Sequence, residues 1–350
     1  MENKYEQVIG LETHVELYTN TKMFCGCRLS FGEEKNVYTC PVCLGHPGSL
    51  PVINKKAIEY AIKIALALNC KINKYNIFHR KNYFYPDMPK NYQISQYDLP
   101  LGVGGYLDVD MGSYIRRVRI TRVHMEEDTG KLLHKGTTGR ISESESSIVD
   151  FNRAGTPLVE VVTEPDIRSP GEAKEYMITL RNLILFLDVS NCSMEEGSLR
   201  CDANVSVRKT GEDKIGTKTE IKNLNSFKFL QKGLGYEAER QIKVLEAGGK
   251  VIQQTRHYDN RTGITKTLRS KEEAHDYRYF PEPDLVPIYI EDKMIEDIRK
   301  TIPELPYVKA KRFEKQYGLP KYDSSFLANN KDLADYFEQC CRRYNNAKNI

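Results

Sequence analysis

No stretch of the 350-residue chain approaches the roughly 18 apolar residues that a membrane-spanning helix needs. The opening residues, Met1-Glu2-Asn3-Lys4-Tyr5, lack both the apolar core of a secretion signal and the Arg/Ser bias of a transit peptide. A cytoplasmic location with no membrane partner is the expectation. There is no G-x-x-x-x-G-K-[ST] loop and no G-x-G-x-x-G, so neither common glycine-rich phosphate cradle is available. There is no G-x-S-x-G turn, and the cysteines outside one N-terminal cluster have no adjacent histidine. Nucleophilic hydrolysis is not expected. One-sided charge is missing too: the net charge is +4 with 29% charged residues, unlike a protein that simply coats nucleic acid. A local basic groove stays open.

What is present begins with thiols. Four of the nine cysteines fall between Cys25 and Cys43, as the close pairs Cys25/Cys27 and Cys40/Cys43 separated by 12 residues. Two close thiolate pairs close a tetrahedral shell, so this spacing points to zinc. A closed sulfur shell leaves no position for substrate, and the role expected is structural. The loop between the pairs has little apolar material, so a metal would help to order it. Cys70, Cys192, Cys201, Cys340 and Cys341 read as plain thiols in or near the core.

Several strands alternate apolar and charged residues. From Val8 to Leu17, Ile9, Leu11, Thr13, Val15 and Leu17 share one face, and Gly10, Glu12, His14 and Glu16 the other. Leu199–Arg208 repeats the pattern, with Arg200, Asp202, Asn204, Ser206 and Arg208 on its polar side. Lys218, Glu220 and Lys222 share a face of a further strand, and strands are expected at Ile115–Arg122 and Leu158–Glu164. Asn54 caps a predicted amphipathic helix over 55–68. Ser169-Pro170-Gly171-Glu172 reads as a capping box opening a helix to about Asp188. Another helix is expected over Phe227–Ala247, ended by Gly248-Gly249, and beyond about Glu291 the pattern is helical only. Lys81–Lys90, within a Tyr-, Asn- and Pro-rich stretch, reads as an irregular loop.

One polar-faced strand is ordinarily just the wet side of an antiparallel sheet. Repetition over several strands implies a polar concavity. Glu12 and His14 point to one side; Glu126, Glu127 and Asp128 follow His124; Glu160 and Glu164 share a face. Carboxylates with an imidazole suit Mg²⁺ held with water and phosphate, or general acid–base work. A nucleotide would then be held by metal and bases on a sheet surface. Lys81, Arg117, Arg119, Arg122, Arg153, Arg200, Arg208, Lys218 and Lys222 are the candidates.

Taken together, these segments resemble one family. They are Val8–Leu17, Arg80–Asp87 with Tyr92–Gln96, His124–Lys131, Asn152–Leu158, Met194–Asn204, Lys222–Phe227 and Asp276–Asp284. In order, they resemble the B subunits of aspartyl/glutamyl-tRNA amidotransferases, the GatB family. The resemblance implies an α+β fold: an antiparallel-sheet cradle similar to glutamine synthetase-type catalytic domains, followed by helices. It implies a ligase that phosphorylates the side-chain carboxylate of Glu-tRNA(Gln) or Asp-tRNA(Asn) with ATP. Ammonia from a glutaminase subunit, in a heterotrimer completed by a small third subunit, then displaces the phosphate. The Mg²⁺ positions it implies are Glu12, His14, Glu127 and Glu160; of the basic candidates, Lys81, Arg153 and Arg200 are expected toward the nucleotide, and the polar strand face at Asp202, Asn204, Lys218, Glu220 and Lys222 is expected to line either an ammonia path or the ATP site. The cysteine pairs occur in only some members, which agrees with structural Zn²⁺. The expected domains are a cradle over 1–292, with the zinc loop at 25–43, and a helical domain over 293–350. Members of the family continue into a tail domain that grips tRNA, so a C-terminal truncation is expected. Two rivals are a non-catalytic zinc-stabilised RNA-binding module and a stand-alone ligase joining ammonia to a small acid. The first leaves the clustered carboxylates unexplained, since acids repel phosphate.

Overall fold

Alternation along the Tyr5–Glu16 strand sorts the whole molecule into two sides. Ile9, Leu11 and Val15 are buried against helices, and the Thr13 hydroxyl on the same side donates to Met177 Sδ at 3.3 Å. Glu12, His14 and Glu16 turn to the opposite face, as a two-residue period requires. The computed structural model describes residues 4–135, 146–270, 274–344 and 346–349.

Tyr5–Glu16 lies in the middle of a large, mostly antiparallel sheet. On one side it pairs with Leu199–Lys209, followed by Thr219–Lys222, Gln254–Asp259 and Ile264–Ser270. On the other it pairs with Pro157–Thr163, followed by Ile115–Glu127, Tyr92–Ser95, His79–Asn82 and Phe280–Pro281. Gly102–Asp110 also pairs with Ile115–Glu127. Among the described residues only the step from Thr219–Lys222 to Gln254–Asp259 is parallel, and it is crossed by a helix, as a parallel connection demands.

Three helices, Lys55–Ala67, Pro170–Phe186 and Phe227–Glu246, cover the apolar side and form one core with it. Asn54 caps the first, accepting from Lys56 N and Ala57 N. Ser169 caps the second through Glu172 N at 3.1 Å. The return arm of that box differs from expectation: Glu172 accepts from Arg168 N, one residue earlier, and from Tyr114 and Arg116. The Tyr-rich stretch holds more order than expected, since His79–Asn82 and Tyr92–Ser95 form a hairpin around the proline-containing loop. The strand expected over Ile115–Arg122 runs on to Glu127.

Beyond Tyr289 the described residues are helical. The helix Asp292–Lys300 places Ile295 in the large core. A second, small core of Phe313, Leu319, Ala334 and Phe337 joins Pro306–Tyr317 to Lys331–Arg343. The boundary expected between 292 and 293 thus falls in the first turn of a helix that packs with the sheet domain. No helix among the described residues is long and apolar enough to cross a membrane.

Candidate active site and thiolate cluster

Strand register builds the site. Arg200, His14, Glu160 and His124 are directly opposite one another across four neighbouring strands, so their side chains form one row on the polar face. Glu126, two residues after His124, joins the same face. His14 Nε2 lies 3.4 Å from Glu160 Oε2 and 3.7 Å from Glu126 Oε1. His124 Nε2 lies 3.2 Å from Glu160 Oε2 and 3.7 Å from Glu126 Oε2. One ligand atom from each of His14, Glu126 and Glu160 fits within 4.8 Å of the others. An imidazole and two carboxylates so placed are a donor set for a hard divalent cation that keeps part of its water shell.

The charges in the row depend on one another. Burial works against the charged forms of His14 and His124, but the Glu160 and Glu126 carboxylates outweigh it and raise both imidazoles, His124 to about 9. Burial likewise pushes Glu160 and Glu126 up, but the two histidines hold both carboxyls below the glutamate range.

Of the residues expected at the metal, His14 and Glu160 are brought together. Glu12 is on the same face one row further on, where Asn204 Nδ2 donates to it at 2.9 Å. Glu127 differs from expectation. Alternation turns its side chain away from Glu126, and its carboxylate takes the Lys90 ammonium and Ile94 N. Glu127 and Lys90 are both buried, so this is an internal ion pair. Glu126 occupies the place expected for Glu127. Because the strand runs on to Glu127, position 126 shares a face with 124, and 127 does not.

The expected nucleotide-binding residues divide. Lys81 lies on the cradle side near Glu126, its Nζ 5.0 Å from the centre of the Tyr277 ring. Arg200 and Arg153 are engaged internally. Arg200 Nη1 lies 2.7 Å from Asp128 Oδ2, and Arg153 donates to the carbonyls of Thr129 and Gly130. Asp202 and Glu220 flank the Lys222 ammonium, and Glu220 also accepts from Thr255 at 2.7 Å. Lys218 is exposed, one residue ahead of its strand.

Cys25, Cys27, Cys40 and Cys43 bring their four sulfurs within 4.8 Å of one another. A hydrogen bond from Cys25 and the neighbouring Lys22 hold the Cys43 thiol well below the ordinary range, so a thiolate is ready there. Lys22 is fully buried and donates to Cys43 Sγ at 3.5 Å and to Phe151 O at 3.1 Å. A buried ammonium offsets negative charge on the sulfurs, so the residues fit a tetrahedral Zn²⁺.

An acid-lined antiparallel face with a metal-type His/Glu/Glu cluster and helices behind it defines a catalytic domain. The family model described as the GatB/GatE catalytic domain matches residues 7–296. The chain belongs to that family. It is similar to the B subunit of the aspartyl/glutamyl-tRNA(Asn/Gln) amidotransferase from Carboxydothermus hydrogenoformans, at 57% identity over 347 residues. That alignment covers 99% of this chain and 72% of the relative. The proteins of the same description from Caldanaerobacter subterraneus and Persephonella marina are 56% and 55% identical, over 99% of this chain and 71% and 72% of theirs.

Proposed function

We propose that this chain is the B subunit of a tRNA-dependent amidotransferase, the ligase that converts Glu-tRNA(Gln) to Gln-tRNA(Gln) or Asp-tRNA(Asn) to Asn-tRNA(Asn). The observation that carries this is the His14–Glu126–Glu160 cluster, set on the sheet face of a chain 57% identical to a protein of that description. Its partners are the glutaminase and small subunits of the amidotransferase, and its cradle is of the glutamine synthetase type. The division between cradle and helical unit falls after the helix Asp292–Lys300.

The chemistry takes two steps. A side-chain carboxylate oxygen of the esterified amino acid attacks the γ-phosphorus of ATP, and the bond to ADP breaks. Ammonia then attacks the acyl carbon, phosphate leaves with the bonding pair, and nitrogen loses a proton. The first step brings two anions together. Mg²⁺, when bound, supplies the charge that offsets their repulsion. His14, Glu126 and Glu160 would hold it, and Glu12, bonded by Asn204, adds a carboxylate to the same face. His124 keeps Glu160 and Glu126 ionised and oriented. Lys81 is the cradle-side cation that faces phosphate groups entering the site. Arg200 and Arg153 fix Asp128 and the 128–130 turn at the end of the cradle. Asp202, Asn204, Lys218 and Glu220 line the flank toward the nucleotide or the ammonia route. Zn²⁺ on the four cysteines orders the 25–43 loop and takes no part in the reaction.

The test is ADP formation by the protein assembled with its glutaminase and small partners, supplied with ATP, Mg²⁺, glutamine and mischarged Glu-tRNA. ADP and Gln-tRNA should appear together and require the mischarged tRNA. Equal turnover on free glutamate would favour the stand-alone ligase instead.

A further inference from the structure

One wall of the cradle is aromatic, and the chemistry above does not use it. The Tyr97 and Tyr279 rings are stacked, with centroids 4.1 Å apart and planes 5° from parallel. Tyr277 meets Tyr279 edge-on at 6.1 Å, and Tyr83 meets Tyr277 edge-on at 6.2 Å. The Lys81 ammonium stands 5.0 Å from the Tyr277 ring centre and 5.9 Å from that of Tyr83. Two distant segments are held together to make this wall. Asn82 Nδ2 donates to the carbonyls of Tyr277 and Arg278, at 3.2 and 2.9 Å, and Arg80 is tied to Glu282 and Asp284.

The wall adjoins the reacting centre: Ser95 donates to Glu126 Oε2 at 3.2 Å and is directly opposite His79, whose ring meets Tyr97 edge-on at 6.0 Å. The wall is open on the Tyr97 side, where that ring is 47% exposed. Flat rings interleaved with cations, beside a phosphoryl-transfer site, suit nucleobases. Bases stack on aromatic faces without sequence preference, and neighbouring cations follow the backbone phosphates. A nucleotide such as ATP needs a single platform. A series of them matches a single-stranded segment.

We propose that the wall formed by Tyr83, Tyr277, Tyr279 and Tyr97, with Lys81, seats the single-stranded 3′ end of the tRNA, its terminal adenine on the Tyr97–Tyr279 stack. This rests on the amidotransferase reading and adds where the RNA end is gripped. Stacking there brings the amino acid esterified to the terminal ribose over Glu126 and Glu160, while Lys81 meets the adjoining phosphodiester. The site holds the ribose end of any tRNA alike; it positions substrate and does not select the amino acid.

The test uses the protein assembled with its glutaminase and small partners and compares wild type, Tyr97→Ala and Tyr97→Trp. KM is measured separately for mischarged tRNA and for ATP, with the glutaminase activity reporting intact assembly. Tyr97→Ala should raise KM for the tRNA about 5- to 100-fold, the range seen when a stacking ring is removed. KM for ATP should stay within about twofold, and Tyr97→Trp should restore tRNA binding. A rise in KM for ATP alone would give the stack to the nucleotide's adenine and overturn the proposal. So would an unchanged KM for both. A wild-type complex inert toward mischarged tRNA would bring down the function and the site together. A working wild type with an indifferent Tyr97→Ala brings down the site alone.

Discussion

At the scale of single residues, adjacent glutamates have opposite duties. Glu126 shares a face with His124 and stands 3.7 Å from His14 Nε2, whereas Glu127 neutralises Lys90 in the interior. Two different failures follow. Glu126→Gln should cut Mg²⁺-dependent ADP formation by about 10²–10³-fold, the usual cost of losing a charge-stabilising group. Glu127→Gln leaves a buried ammonium without its counter-charge. It should lower unfolding free energy by about 3–5 kcal/mol in a denaturant titration. If Glu127→Gln proved fully stable yet inactive, the division of labour between the two would be reversed. The sequence showed that acids crowd this strand end. It did not separate 126 from 127, because the strand was expected to stop at Arg122 and the face of each later residue was therefore open.

Elements follow the same logic of faces, and where alternation was regular the sequence was easily read. Leu199–Lys209 and the helix caps at Asn54 and Ser169 stand where the pattern placed them, and the strand expected over Val8–Leu17 begins three residues earlier, at Tyr5. Strands such as Gly102–Asp110 and Gln254–Asp259 were less legible, since glycines or polar residues blur their alternation and long-range pairing holds them in place. Gly105 shows the constraint. A Cβ there would come within 2.3 Å of Leu68 O and 2.4 Å of Cys70 Sγ, so Gly105→Ala must push the strand off the helix above it. A loss of about 1–3 kcal/mol, seen as a lower melting temperature, is the expected result. The helix Phe227–Glu246 carries a buried acid, Glu237, bonded by Arg240 and Thr265. Burial raises this carboxyl, but those hydrogen bonds and the charge of Arg240 outweigh it and hold it below the ordinary glutamate range. A depressed carboxyl contributes stability that is fully present above the unfolded value of about 4.3 and is lost as pH falls through the folded pKa. Glu237→Gln should therefore lower stability at pH 7 and flatten its fall below about pH 4.3, as read from unfolding curves at stepped pH.

For the whole molecule, the thiolate cluster and the cradle are separate devices joined through the 149–152 segment. Lys22 touches Cys43 Sγ and Phe151 O, and the 25–43 loop reaches the same segment through Tyr38 N and Asn36 N. Chelation of zinc, or Cys43→Ser, should remove about one equivalent of metal per chain and lower the melting temperature by several degrees. A chain that binds no zinc by elemental analysis would leave the four cysteines as free thiols. Phosphoryl transfer in the cradle is tested by comparing Glu160→Gln with wild type. Both are assembled with the glutaminase and small partners and given ATP, Mg²⁺, glutamine and mischarged Glu-tRNA. The account predicts that ADP and Gln-tRNA fall together, by at least about 10²-fold, while the glutaminase activity continues. ADP formation at the wild-type rate would contradict it, and would place phosphoryl transfer away from His14, Glu126 and Glu160.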